Sequence, residues 1–371
     1  MKKIGLLSYH ASYNNGSALQ AYALQQAIQD QGHECQIINY RHVMQDHMSR
    51  VINTKIINAG TIAKNLQNLL YIFEIKNRNR CFKKFSREQF IKSSEDYIAE
   101  SDVPTLCNTY DAVVCGSDQI WNMSDSSYDK STVYFLDFER RCKAISYAPS
   151  FGENLEAAKI HRKELIRMIR RFDCISMREK DAVDFLRENG VNATLVLDPT
   201  LILDREKWKE LLLPRLIDEP YVFYYSINCK KFSIEATQNV SKQLGLKVVN
   251  PLIHPRTIGS GFKLFAECGP REFLSLLCHS EFVCTNSFHG TVFSILFGKP
   301  FIAIFDSNEG KMVRENRKAN LLEQLGLQHH MVINDDSIRA ESYIGEDYTD
   351  AYRCLDLLKQ DSLTYLKNSL K

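Results

Sequence analysis

An α/β architecture in two tandem domains follows from three features of the chain. Short apolar runs rich in β-branched and aromatic residues alternate with helical periodicities throughout, the pattern of parallel sheets covered by helices. The rhythm pauses at a polar, proline-bearing segment, LLPRLIDEP, and restarts with YVFYYSI. The length of 371 residues is also more than one ordinary core accommodates.

The first domain is expected over residues 1–212, with strands at 3–9, 35–40, 111–116, 143–149, 173–177 and 194–197. SALQAYALQQAIQDQG joins the first two strands, with Leu19, Ala23, Ala27 and Ile28 at helical spacing and Gly32 as the stop. Residues 44–100 interrupt the rhythm as a largely helical insertion ending in the basic cluster KNRNRCFKKFSR. Two readings of that cluster stand: a solvated helix face, or a patch making peripheral contact with an anionic membrane or a lipid-linked molecule. The second domain, 213–345, reads YVFYYSI, a helix near 233–244, LKVVNP, a helix near 270–278, EFVCTN, a further helix and KPFIAIF. The last segment, 346–371, is an amphipathic helix placed to cross back onto the first domain. Two such domains make the cleft between them the default ligand site.

Composition narrows the function classes. A chain that is 44% hydrophobic and 25% charged is that of a soluble globular protein. A formal net charge of +2 provides no global attraction for nucleic acid, so any anion site must be local. The apolar stretch Ile4 to Leu7 is too short for an export signal, and no run approaches the roughly 18 apolar residues of a membrane span. The expected location is the cytoplasm, at most against the inner face of a membrane. Eleven cysteines are scattered without a CxxC pair, which argues against a disulfide framework, an iron–sulfur cluster or a structural zinc site. No metal and no bound cofactor are expected.

Five segments carry chemistry. In EFVCTNSFHGTVFSILFGKPFIAIF, Phe288, Val292, Ile295 and Leu296 mark one buried helical face and Gly298 the helix stop. Asn286, Ser287, His289, Gly290 and Thr291 then gather at the helix N-terminus, where backbone amides and the dipole favour phosphate or carboxylate. Here His289 is either an acid, base or anion partner or a structural histidine behind a capping Ser287. After the first strand, Asn15, Gly16 and Ser17 are either ligand contacts at a strand's carboxyl end or a tight turn with a serine cap.

In CGSDQIWN, the residues Ser117, Asp118, Gln119, Trp121 and Asn122 combine polar groups with an indole, as a sugar-binding surface does. Asp118 is the candidate general base. Arg178 closes a strand, where it holds either an anionic ligand or a neighbouring acid such as Glu179 or Asp198. Lys311, Arg314 and Arg317 form a further basic group, an anion clamp or a surface face.

In the order YNNGSALQAYAL, GSDQIWN, AISYAPSFG, ISMREKDAVDFL, LDPTLILD, GPREFLSLL and TNSFHGTVFSILFGKPF, the chain resembles the polysaccharide pyruvyl transferase family over roughly residues 3–327. That resemblance implies two Rossmann-like domains facing across a cleft, similar to GT-B glycosyltransferases. It implies transfer of pyruvate from phosphoenolpyruvate, as co-substrate, to two hydroxyls of one sugar in a cell-surface polysaccharide or its lipid-linked precursor, giving a cyclic ketal. His289 and Arg178 fall on positions that the family uses for the donor. Many members carry an arginine two residues before the histidine; this chain has Ser287 there, leaving Lys311, Arg314 or Arg317 to supply the cation. A nucleotide-sugar glycosyltransferase and a non-catalytic carbohydrate-binding relative are the alternatives.

Overall fold

The computed structural model of the chain describes residues 1–42, 65, 68–123, 132–152, 155–305, 307–308, 311–312, 316–333 and 338–371. It separates into two compact units. One comprises Met1–Ser49, Ser86–Asp204 and Leu355–Lys371, the other Arg50–Phe85 and Arg205–Cys354. The boundary thus lies at Asp204, eight residues before the expected one.

The early part of the expected insertion, 44–64 and 66–67, lies outside the described residues. Its later part is the helix Ile72–Gln89, most of which groups with the second unit and not with the first. The reason is its apolar face. Ile75, Phe82 and Phe85 are buried, while Asn77 donates to Glu267 Oε1 at 2.5 Å and Cys81 lies so close to Gly269 that a Cβ there would stand 2.6 Å from Cys81 Cβ. Lys76, Arg80, Lys83, Lys84 and Arg87 are exposed, as a solvated face requires.

The first unit carries β1 (Lys3–Leu7), α1 (Asn15–Asp30), β2 (Glu34–Ile37), β3 (Ala112–Cys115), β4 (Lys143–Ser146), β5 (Ser176–Met177), α2 (Lys180–Glu188) and β6 (Thr194–Leu195). The sheet order is β2-β1-β3-β4, all parallel. A bridge from Ile145 to Cys174 leads on to the parallel pair β5-β6, and a bridge from Ile37 to Lys92 extends the other side. From β1 the chain adds β2 on one side and then β3 and β4 on the other, so the carboxyl ends of β1 and β3 flank a topological switch point. Within the same unit, the end of the C-terminal helix Thr349–Leu370 is tied down where Leu197 N donates to Ser362 Oγ at 2.9 Å and the Tyr365 hydroxyl donates to Ser146 O at 2.9 Å.

The second unit carries β7 (Tyr221–Tyr225), α3 (Lys231–Leu244), β8 (Lys247–Asn250), β9 (Lys263–Leu264), α4 (Pro270–Cys278), β10 (Phe282–Thr285), α5 (Phe288–Leu296), β11 (Phe301–Ile304), a ribbon β12 (Ser307–Asn308) and β13 (Lys311–Met312), α6 (Asn316–Gln324) and β14 (Met331–Val332). Its main sheet runs β9-β8-β7-β10-β11-β14, every pair parallel. This is the Rossmann strand order, with its switch point between β7 and β10. All residues of β7, β10 and β11 are buried, which is why those strands read as continuous apolar runs without alternation.

Candidate active site

In the first unit, three loops leave the carboxyl ends of the strands and meet beside α1. The helix begins with Asn14 as its cap, accepting from Ser17 N at 3.2 Å, so the cap is an asparagine and Ser17 is left for another partner. The Ser17 hydroxyl donates to Asp118 Oδ2. Asp118 sits in the left-handed region with φ 73, a strained conformation for a residue with a Cβ. Its carbonyl accepts from Ser150 N at 2.9 Å and its Oδ1 from Gln119 N at 2.9 Å, and these bonds hold the carboxylate in place. Gln20, one turn beyond Ser17, donates to Ser117 Oγ at 3.2 Å and to Asp198 Oδ2, while Ser117 donates to Ala148 O at 2.8 Å.

Arg178 joins this network. Its guanidinium is 2.7 Å from Asp198 Oδ2 and 3.1 Å from Glu179 Oε1, and all three side chains are buried. Burial opposes the charge, but Glu179, Asp198 and Asp118 outweigh it and raise the guanidinium pKa above its ordinary value. Of the two readings of Arg178, the structure displays the ion pair. Among the described residues one cation thus faces three carboxylates, an arrangement that disfavours an anionic ligand. Ser8 Oγ, Asn15 Oδ1 and Gln20 Oε1 are buried at the same edge without a hydrogen-bond partner among the described residues.

The other residues of the first unit divide. Gly16 is buried in the first turn of α1, and Gln119 Oε1 accepts from Asn122 Nδ2 at 2.9 Å in a half-buried loop. Trp121 corrects an expectation. The indole is fully buried, stacks on Phe135 at 5.5 Å, meets Phe172 edge-on at 5.2 Å and donates Nε1–H to Tyr134 O at 3.1 Å. A ring enclosed on its faces belongs to the core and has no face for a sugar. The open hollow lined by Arg140, Arg141, Lys143 and Arg171 lies at the amino ends of β3 and β4, the wrong edge for a parallel-sheet site.

In the second unit the singled-out turn lies at the switch point. Asn286, directly after β10, accepts from Ile227 N at 2.9 Å through Oδ1 and donates Nδ2–H to Asn228 Oδ1 at 2.6 Å, binding the loops of β7 and β10 together. Ser287 caps α5 by accepting from Gly290 N at 3.4 Å, and its carbonyl accepts from the Thr291 hydroxyl at 3.2 Å. Gly290 is required sterically, since a Cβ would lie 2.2 Å from Thr285 Oγ1. Ser287, Gly290 and Thr291 therefore build the turn. His289, in the first turn of α5, is enclosed to 9% exposure with its ring edge-on to Phe288 at 5.2 Å.

Among the described residues, the cations at this turn are Arg317, which was expected, and Lys318, which was not. Arg314 lies outside the described residues, and Lys311 is placed only as a member of β13. Arg317, at the start of α6, holds its guanidinium 6.0 Å from the Phe288 ring. Lys318, which spacing did not single out, is buried with Nζ donating to Asn286 O at 2.9 Å and Ile304 O at 2.7 Å, over the Phe305 ring. Its position in a basic run, RK, resembled a wet face; only the packing of α6 against the strand ends turns it inward. Among the described residues two cations, Arg317 and Lys318, thus lie beside the helix N-terminus that carries His289.

Metal ligation was not expected from spacing, yet among the described residues His329, His330 and Glu346 bring ligand atoms within 4.8 Å of one another. No helix among the described residues is long and apolar enough to cross a membrane.

Comparison with known proteins fits this architecture. Among solved structures, UDP-N-acetylglucosamine 2-epimerase from Rickettsia bellii is similar with a TM-score of 0.52 at 11% identity, covering 99% of this chain and 96% of that one. UDP-GlcNAc 2-epimerase from Neisseria meningitidis bound to UDP-GlcNAc gives 0.50 at 11% identity, covering 100% and 99%. At such identity the likeness shows the fold alone, two Rossmann-like domains of the GT-B class. No curated protein sequence matches. The family described as polysaccharide pyruvyl transferase matches residues 14–306, from the cap of α1 to the end of β11. With most of its length and both switch-point turns inside that match, the chain belongs to the polysaccharide pyruvyl transferase family and is a transferase.

Proposed function

We propose that the chain transfers pyruvate from phosphoenolpyruvate to two hydroxyls of one sugar in a cell-surface polysaccharide or its lipid-linked precursor, forming a cyclic ketal and releasing phosphate, with no further cofactor. The observation that carries this reading is the convergence of Arg317, Lys318, His289 and the α5 N-terminus on one turn of the second unit, a site for a small dianion. Lys318 compensates for the arginine absent at position 287. The first unit supports an acceptor role: its carboxylates and unpaired buried polar atoms fit a ligand rich in hydroxyls.

The chemistry follows from the donor. Phosphoenolpyruvate is an enol ester, and adding a proton to its methylene carbon places positive charge at C2. One sugar hydroxyl attacks C2, the C–O bond to phosphate breaks, and the second hydroxyl closes the ketal. Of the two hydroxyl protons, one balances that delivered to carbon and the other leaves with phosphate. Asp118 accepts a hydroxyl proton; Ser17 marks how a hydroxyl approaches that carboxylate. The second-unit turn holds the carboxylate and phosphate of the donor as charge develops, with His289 as the titratable group in contact. Arg178 acts in this scheme as a positioning residue, fixing Asp198 and Glu179 behind Asp118.

Thermal-shift titration of the purified chain tests the donor directly. Phosphoenolpyruvate should raise the midpoint where uridine and guanosine nucleotides do not, and incubation with an acceptor glycan should release phosphate with a pyruvate-sized mass gain on the glycan. Stabilisation by a nucleotide and none by phosphoenolpyruvate would sink the reading.

A further inference from the structure

We propose that His329, His330 and Glu346 form a divalent-metal site of the zinc class at the outer edge of the second unit. The case starts with His330. Its ring is fully buried, stacked on Phe301 at 3.9 Å with an interplanar angle of 5°, and its Nδ1 lies 2.8 Å from Phe301 O. A carbonyl only accepts, so Nδ1 carries a proton, and in the neutral ring Nε2 presents a lone pair. This is the arrangement in which a metal-ligating histidine is held by its second nitrogen.

That lone pair points at a carboxylate. His330 Nε2 is 2.7 Å from Glu346 Oε2, and both atoms are buried. Two facing lone pairs at that distance repel unless a proton or a metal ion lies between them. The second carboxylate oxygen meets His329 Nε2 at 2.6 Å, so one glutamate joins two imidazoles.

The geometry is close to what a metal needs. Tetrahedral ligation with bonds of about 2.0–2.1 Å sets ligand atoms about 3.3 Å apart. The observed contacts need to open by less than an ångström, and all three ligand atoms already fall within 4.8 Å. Two imidazoles and one carboxylate are the donor set of a borderline ion such as Zn²⁺ or Co²⁺. His329 is half-exposed, with its side chain at 54%, so the fourth position faces water. A metal here would clasp the turn Gln328–His330, which leads into β14, to the segment that leads into the C-terminal helix.

The test uses the full chain, stripped with a chelator and titrated with Co²⁺ alone and Zn²⁺ alone. One equivalent of Co²⁺ should bind with visible absorption bands, and Zn²⁺ should raise the thermal midpoint. Glu346→Gln, which keeps the side-chain shape, and His329→Ala, at a half-exposed ring, should each weaken binding on the order of a hundredfold or more. The two substitutions guard against one of them disturbing the fold. Absence of saturable binding in the unsubstituted chain, or affinity unchanged in both variants, overturns the site.

Discussion

The two switch points occupy the same place in their sheets and carry opposite chemistry. At the first, Asp118, Glu179 and Asp198 surround a single Arg178, and the residues between them are linked by side-chain hydrogen bonds. At the second, Lys318, Arg317 and His289 stand around a helix N-terminus whose polar side chains are spent on the turn itself. A parallel sheet determines where ligands go, because its helices start at the carboxyl ends of its strands; the side chains placed there decide the sign of what binds. In the function proposed above, one edge takes hydroxyls and the other an anion.

Removing Arg178 breaks the contrast most severely. Arg178→Ala leaves Asp198 and Glu179 buried without counter-charge and should cost about 3–5 kcal/mol of unfolding free energy, read by urea titration. A loss under about 1 kcal/mol would mean that the carboxylates are satisfied by other groups. At the second edge, His289→Ala should lower phosphate release from phosphoenolpyruvate on the order of a hundredfold, equivalent to about 2.7 kcal/mol. A fully active variant removes the imidazole from the mechanism.

Gly290→Ala sharpens the structural half of the same turn. The new methyl meets Thr285 Oγ1, and the overpacking should destabilise by about 1–3 kcal/mol in thermal unfolding. The smallest effect concerns His10, at the carboxyl end of β1. Burial holds its imidazole below the ordinary value, against hydrogen bonds to Asn39 and Ser8. The unfolded chain then takes up the proton first, near pH 6.5, so this contribution is present above about pH 6.5 and is lost as pH falls below it, at no more than about 1.4 kcal/mol per unit. His10→Gln should flatten that part of the stability–pH curve; an unchanged slope would show that the histidine does not titrate differently on unfolding.

Much of the site was legible where the signal is local. Strand, turn, helix and glycine stop could be read around His289, because capping and helix termination are settled within a few residues: Ser287 does cap α5, and Gly298 follows it with φ 59. The first-domain strands were also legible, although 173–177 shortens at its amino end to Ser176–Met177, and 194–197 at its carboxyl end to Thr194–Leu195, where the chain leaves toward Asp198. Trp121 misled because polar neighbours along the chain say nothing of the aromatic rings from Phe135 and Phe172 that enclose it. Gln20 and Lys318 were missed for a related reason. A glutamine on an apolar helix and a lysine in a basic run carry no mark of the partners they meet at Asp198 and Asn286.

The amino-acid order alone determined the alternation of strands and helices, the parallel sheets that follow from it, and the turns at which polar groups gather, since each depends on contacts between near neighbours. Tertiary structure alone decided the rest: that Arg178 pairs with Asp198 twenty positions away, that Lys318 turns inward, and that two adjacent histidines meet Glu346. Burial and charge pairing are properties of surfaces brought together over long sequence separations, and no local pattern encodes which surface will arrive.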